Sequence, residues 1–181
     1  MKISYYVASA LDGYIAQEDG DVSWLDETGI SMEDTGYDEF YPSVDAIIMG
    51  RKTHDMIKHF GIWPYHDKPT WVCSSQAIEP IEGCNLQTQV SPEEAIKEAK
   101  AKGIKNLWVV GGGLLASHLI NKGLMSNIIV STMPFILGSG IPLFDGLDKK
   151  VPLILKNTQV FTSGFTQLHY EIKGMKSEAM L

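Results

Sequence analysis

Three short runs in the chain carry residue types that hold an anion: Gly50-Arg51-Lys52-Thr53, Ser74-Ser75 and Gly111-Gly112-Gly113. Glycines let a phosphate approach backbone N–H groups closely, and hydroxyls add donors. The planar guanidinium of arginine fits a phosphate monoester better than a lysine ammonium does. Arg51 stands out because no Lys or Arg lies between it and Lys2. Any one of these corners is equally explained by a helix packing tightly on a strand. Three in one chain point to donors converging on a single anionic ligand.

Other chemistries find less support. The triple glycine lacks the Lys-Ser/Thr of a P-loop and the spacing of a GxGxxG fingerprint. His54, His59, His66, His118 and His169 show no metal-ligand spacing, so no metal site is expected. No GxSxG elbow is present, and Cys73, at the end of an apolar run, reads as a buried, inert thiol.

The elements that must position the three corners alternate between strand and helix patterns, which indicates an α/β sheet. Strands are expected at Lys2–Ser9, Asp45–Met49, Thr70–Cys73, Asn106–Val110 and Ile128–Thr132. Helices are expected after Gly50, over Pro92–Lys102 and over Leu114–Asn121. Ser91 and Glu94 form a capping box for the second of these, and Gly103 ends it. Val151–Phe161 and Phe165–Ile172 read as a hairpin turning at Ser163-Gly164. Gly20–Tyr41 is acidic and weakly periodic, consistent with a mobile loop holding a short helix. Each corner falls at the carboxyl end of a strand, where open α/β sheets bind ligands.

With 181 residues, a single domain over 1–174 is expected, followed by a frayed tail at 175–181. A domain of this size buries ~70% of its unfolded surface and needs no disulfides. Two cysteines read as reduced thiols of a cytoplasmic protein. Fifteen Lys+Arg against twenty-two Asp+Glu give a net charge of −7, which argues against nucleic acid and anionic membranes as partners. The segment Gly123–Phe144 is uncharged, but Pro134, Gly138, Gly140 and Pro142 interrupt it. It reads as a buried strand and loop rather than a membrane span.

The ordered set of motifs resembles the dihydrofolate-reductase-like superfamily, and more closely its RibD C-terminal domain branch. The carrying residues are Ala10-Leu11-Asp12-Gly13-Tyr14-Ile15-Ala16, Ile48-Met49-Gly50-Arg51-Lys52-Thr53, Val72-Cys73-Ser74-Ser75 and Val109-Val110-Gly111-Gly112-Gly113. Pro134-Phe135-Ile136-Leu137-Gly138 and Pro142-Leu143-Phe144 complete the set. The resemblance implies a three-layer fold: a mixed, mostly parallel sheet of about eight strands with a C-terminal antiparallel hairpin, flanked by helices. It also implies NADPH as hydride donor and pairing of two copies as a homodimer. The uncharged run Gly123–Phe144 either feeds that pairing or belongs to the core.

Carried over residue by residue, the resemblance places Ala10 and Ile15 near the nicotinamide. Gly50, Arg51, Lys52 and Thr53 would hold cofactor phosphates, and Ser74 and Ser75 the adenosine 2′-phosphate. Gly111, Gly112 and Gly113, flanked by Val110 and Leu114, would cradle the pyrophosphate. Trp24 and Lys68 would face substrate. A proton donor follows the tryptophan in the family: counting back from Gly50 selects Asp34, and counting on from Trp24 selects Asp26 or Glu27. The implied activity is reduction of 5-amino-6-(5-phosphoribosylamino)uracil in riboflavin biosynthesis. The alternatives are a dihydrofolate or pterin reductase and a non-catalytic NADPH-binding module. Small pterin or aminopyrimidine-type molecules are thus the expected partners. The sequence departs from the family where Leu114 replaces a cation after the glycines and Ser126-Asn127 replaces an acidic pair. No cation lies between Ser9 and Met49 to hold a ribose phosphate.

Overall fold

The computed structural model describes residues 1–31 and 33–174; the expected frayed tail at 175–181 lies outside the described residues. Among the described residues ten strands form: β1 (Lys2–Ala10), β2 (Tyr14–Ala16), β3 (Ala46–Gly50), β4 (Thr70–Cys73), β5 (Leu86–Gln89), β6 (Asn106–Gly111), β7 (Asn127–Met133), β8 (Ile141–Pro142), β9 (Leu153–Val160) and β10 (Thr166–Ile172). Five helices accompany them: α1 (Trp24–Glu27), α2 (Tyr37–Phe40), α3 (Arg51–His59), α4 (Pro92–Ala101) and α5 (Gly113–Asn121). Eight strands make one sheet in the order β5-β4-β3-β6-β1-β7-β10-β9, and β2 pairs with β8 apart from it. The pairs from β5 to β7 are parallel, and β10 runs antiparallel to both β7 and β9. This is the mixed, mostly parallel α/β sheet that the resemblance implies, with the C-terminal hairpin that the sequence predicts. Gly164, at φ 98°, makes the hairpin turn.

Strand side chains alternate between two cores. Ala46 and Ile48 face one layer with Trp71, Leu107, Val109 and the apolar sides of α4 and α5. Ile47 and Met49 face the other with Val72, Trp108 and Ile57 of α3. Each buried aliphatic side chain contributes about 1.5–3 kcal/mol relative to exposure, so both layers hold the central strands. The uncharged run from Gly123 largely enters this core through the mostly buried β7. No helix among the described residues is long and apolar enough to cross a membrane.

The connections explain where a cleft opens. From β3 the chain passes through α3 to β4, toward one edge, whereas from β6 it passes through α5 to β7, past β1 toward the other. Right-handed crossovers of opposite direction put the two helices on opposite faces. The connections leaving the adjacent strands β3 and β6 therefore diverge from the carboxyl ends of those strands.

Four elements carry too little local signal to be read in advance. Strand β5 is short and half-buried along its length. Strands β2 and β8 pair across more than a hundred residues of sequence. The acidic stretch expected as a loop also holds a second short helix, α2, besides α1.

Candidate active site

Helix α4 satisfies its own N-terminus: Ser91 Oγ accepts the Glu94 N–H at 3.3 Å, Pro92 occupies the first turn, and Glu93 and Glu94 oppose the helix dipole. The capping box is only half formed: among the described residues the Glu94 carboxylate does not accept the Ser91 N–H, and the Ser91 hydroxyl donates to the Glu93 carboxylate at 2.9 Å. Helices α3 and α5 behave differently. Each begins after a glycine, Gly50 or Gly112, with no side-chain cap and no acid in its first turn. Arg51 and Lys52 even place two cations at the positive end of α3, which is unfavourable for an isolated helix. An anion seated between the two N-termini reverses that penalty and meets free N–H groups from both.

Both N-termini line one cleft of about 1110 Å³ at the carboxyl ends of β3 and β6. The lining includes Gly50, Arg51, Lys52 and Thr53 from one corner and Val110 through Leu114 from the other, with Ile15 opposite. A smaller concavity of about 450 Å³ shares Gly50, Leu114, Leu115 and Asp145 with it and extends to Cys73, Pro92 and His118.

The glycines differ in what requires them. A Cβ on Gly113 would overlap the Pro142 carbonyl oxygen and stand 3.0 Å from that of Leu143, so protein packing excludes any side chain there. Gly111 and Gly112 meet only Thr53, no closer than 3.4 Å and 3.8 Å. Nothing within the protein crowds those two positions, whereas a ligand lying on the backbone would. The Gly111–Gly112 peptide is cis.

The Arg51 Nε is gripped by the Asp55 carboxylate, which also accepts from the buried His54 Nδ1 at 2.8 Å. An ionised carboxylate only accepts, so Nδ1 carries the ring proton. Burial alone would raise the Asp55 carboxyl, but the hydrogen bonds from His54 and Arg51 outweigh it and hold the group below the usual carboxylate range. Among the described residues the terminal guanidinium nitrogens of Arg51 have no protein partner, which leaves them for a ligand.

The remaining candidate residues stand outside the cleft lining. Ala10 and Trp24 are buried together with Met133 and Phe165, and Trp24 Nε1 has no hydrogen-bond partner there. Ser74 Oγ donates to the Gln76 carbonyl at 2.6 Å and accepts the Gln76 N–H, so it ties its own loop; Ser75 is exposed. Lys68 lies 3.6 Å from Asp67 and over the Tyr41 ring. Asp26 and Glu27 are exposed on α1, and Asp34 is exposed and hydrogen-bonded to Ser31. The cleft also has residues that sequence reasoning missed: Tyr6, Tyr37, Tyr65 and Trp108 form an aromatic wall. The spacing of Tyr37, Phe40 and Tyr41 on one helical face was its only local signal.

Residues 52–167, more than half of the chain, match the RibD C-terminal domain. The chain belongs to the RibD C-terminal domain family. It is 36% identical over 174 residues to the uncharacterized protein YwjB of Bacillus subtilis, covering 93% of this chain and 97% of the relative. A putative riboflavin biosynthesis protein from Shewanella sp. PV-4 superposes with a TM-score of 0.84 at 30% identity, over 96% of this chain and 99% of that one. A Thermotoga maritima diaminohydroxyphosphoribosylaminopyrimidine deaminase/5-amino-6-(5-phosphoribosylamino)uracil reductase shares the fold, with a TM-score of 0.70 at 15% identity. That match covers 94% of this RibD C-terminal family member and 56% of the Thermotoga chain. The family match and the Shewanella structure place the chain among RibD-like proteins.

Proposed function

We propose that the chain is a reductase that binds NADPH across the N-termini of α3 and α5. The convergence of two uncapped helix N-termini on one cleft, with Arg51 and Lys52 at the entrance, carries this reading. Gly111 and Gly112 provide the open backbone that a pyrophosphate needs, and Arg51 offers a fork to a phosphate monoester. When bound, a reduced nicotinamide supplies the hydride. The protein's contribution is positioning: backbone N–H groups fix the phosphates, and the β2 residue Ile15 walls the cleft beside them. Water is displaced by apolar side chains of the opposite wall, among them Leu25, Ile30 and Met133.

Reduction of 5-amino-6-(5-phosphoribosylamino)uracil, the activity printed for the Thermotoga relative, would require a second cation cluster for the ribose phosphate. Arg51 and Lys52 are the only cations among the described lining residues, and both stand at the α3 N-terminus. A pterin would call for a carboxylate beside its amidine edge; Asp26, Glu27 and Asp34 all stand outside the lining, so that group would have to come from Glu18, Asp19, Asp55 or Asp145.

Titration of NADPH into the protein, followed by energy transfer from tryptophan to the nicotinamide, tests the reading. Saturable binding is expected, and its absence overturns the assignment. Binding without NADPH oxidation by any offered acceptor would identify a non-catalytic nucleotide-binding module instead.

A further inference from the structure

The part of the cleft away from the glycines is aromatic and carries no cation. Trp108 stands at its centre, with the rings of Tyr6, Tyr37, Phe40, Tyr41 and Tyr65 between 5.4 and 6.3 Å from it. On β6, Trp108 precedes Gly111 by three residues, a separation of ~10 Å. On α3, Ile57 follows Arg51 by six residues, or ~9 Å of helix. The wall therefore lies apart from the phosphate-binding corners. Lys68, on the far side of Tyr41, is occupied by Asp67 and the Tyr41 ring. Glu18, Asp19, Asp55 and Asp145 add negative charge around the cleft.

The phenols of this wall fall into two groups. The Tyr6 hydroxyl donates to the Thr35 carbonyl at 2.9 Å and accepts from Gln167 Nε2 at 3.4 Å, and the Tyr41 hydroxyl donates to Asp67. Those two are committed within the protein. The hydroxyls of Tyr37 and Tyr65, both cleft residues, have no hydrogen-bond partner among the described residues. Burial raises both phenols, with Asp67 adding to the effect at Tyr37, which is pushed up to about 12. Both are protonated donors at neutral pH.

We propose that this half of the cleft takes a flat, uncharged heteroaromatic substrate that bears carbonyl or ring-nitrogen acceptors and no phosphate. The ring lies against the wall around Trp108, and the hydroxyls of Tyr37 and Tyr65 donate to its acceptors and fix its orientation. A flat ring gains from both stacking and edge contacts with such a wall. A phosphate in this half would meet no free cation, because Arg51 and Lys52, the only cations among the described lining residues, stand at the α3 N-terminus. The inference rests on the dinucleotide occupying the glycine-lined end.

Lumiflavin and riboflavin 5′-phosphate share one planar ring with two carbonyls, and only the second carries a phosphate. Each is titrated by flavin fluorescence into the full chain saturated with NADP⁺, which cannot reduce it. Lumiflavin is expected to bind with quenched emission, about tenfold or more tighter than riboflavin 5′-phosphate, the scale of one unpaired charge. Tyr37→Phe and Tyr65→Phe keep the rings and are each expected to weaken lumiflavin by roughly two- to tenfold, the range of one hydrogen bond. NADP⁺ affinity should stay unchanged in both variants. Absence of lumiflavin binding, equal or tighter binding of riboflavin 5′-phosphate, or indifference to both substitutions overturns the proposal. Lumiflavin is also titrated without dinucleotide. Tyrosine-dependent binding there, together with no NADP⁺ binding, overturns the dinucleotide reading and retains the aromatic site.

Discussion

The Nε of Arg51 lies 2.8 Å from Oδ1 and 2.7 Å from Oδ2 of Asp55, one turn farther along α3. This contact aims the guanidinium while leaving its terminal nitrogens free. Arg51→Ala is expected to weaken NADPH by about 1–3 kcal/mol, the scale of a charge-assisted hydrogen bond. NADH should weaken less if the fork holds the 2′-phosphate. Equal losses, measured by calorimetry with both coenzymes, would remove Arg51 from that phosphate.

The same contact responds to pH. Because the Asp55 carboxyl is held below its unfolded value of 3.8, its stabilisation is complete above that pH and is lost as pH falls through the lowered folded value. Asp55→Asn is expected to abolish that part of the acid dependence and to weaken NADPH less than Arg51→Ala does. Unfolding midpoints between pH 2 and pH 6, compared with wild type, check the first outcome, and a binding titration checks the second.

Neighbouring glycines should separate folding from binding. Gly113→Ala drives a methyl into the Pro142 carbonyl and is expected to destabilise the fold by about 2 kcal/mol or more. Gly112→Ala has room, its nearest neighbour being Thr53 Oγ1 at 3.8 Å, at ordinary backbone angles of φ −94° and ψ −171°. It should leave the thermal midpoint nearly unchanged and impair NADPH binding at least tenfold, about 1.4 kcal/mol. A Gly112→Ala protein with full NADPH affinity would contradict ligand contact at that backbone.

Burial, with a smaller contribution from Glu93, pushes the Cys73 thiol up to about 12. It is thus protonated at pH 8 and should alkylate with iodoacetamide far more slowly than a free thiol in a peptide. Mass spectrometry of the Cys73 peptide over a time course reads the outcome. Rapid labelling would show that this strand end opens.

Glu93 is held down to about 2 by its own backbone N–H first, then by His118 and Ser91. Its contribution is present above 4.5, the unperturbed value, and is lost as pH falls from there toward 2. Glu93→Gln should therefore be less stable than wild type at pH 6, with the gap closing toward pH 2. A gap that widened on acidification would refute the assigned direction.

Local patterns made much of the scaffold legible. Ser91 and Pro92 announced α4, the apolar run at 70–73 announced β4, and Ser163-Gly164 announced the hairpin turn, because each signal lies within a few residues of the element it specifies. The pairing of Tyr14–Ala16 with Ile141–Pro142 was not legible, since neither segment is long enough to show a period. The carboxylates after Trp24 could not be ranked from spacing, and none reaches the cleft lining. Backbone direction through short helices and turns, rather than residue count, decides where such side chains point.

By itself, the sequence determined the alternation of strands and helices and the three corners of glycine, hydroxyl and cationic residues at strand ends, because such residues act through the local backbone. The convergence of two of those corners on one cleft followed only from β3 and β6 lying side by side with crossovers of opposite direction. The aromatic wall likewise needed the tertiary structure. Tyr6, Tyr37, Tyr65 and Trp108 are scattered over a hundred residues, and only β1 lying beside β6, with α2 and the segment before β4 packed against them, brings their rings within contact of one another.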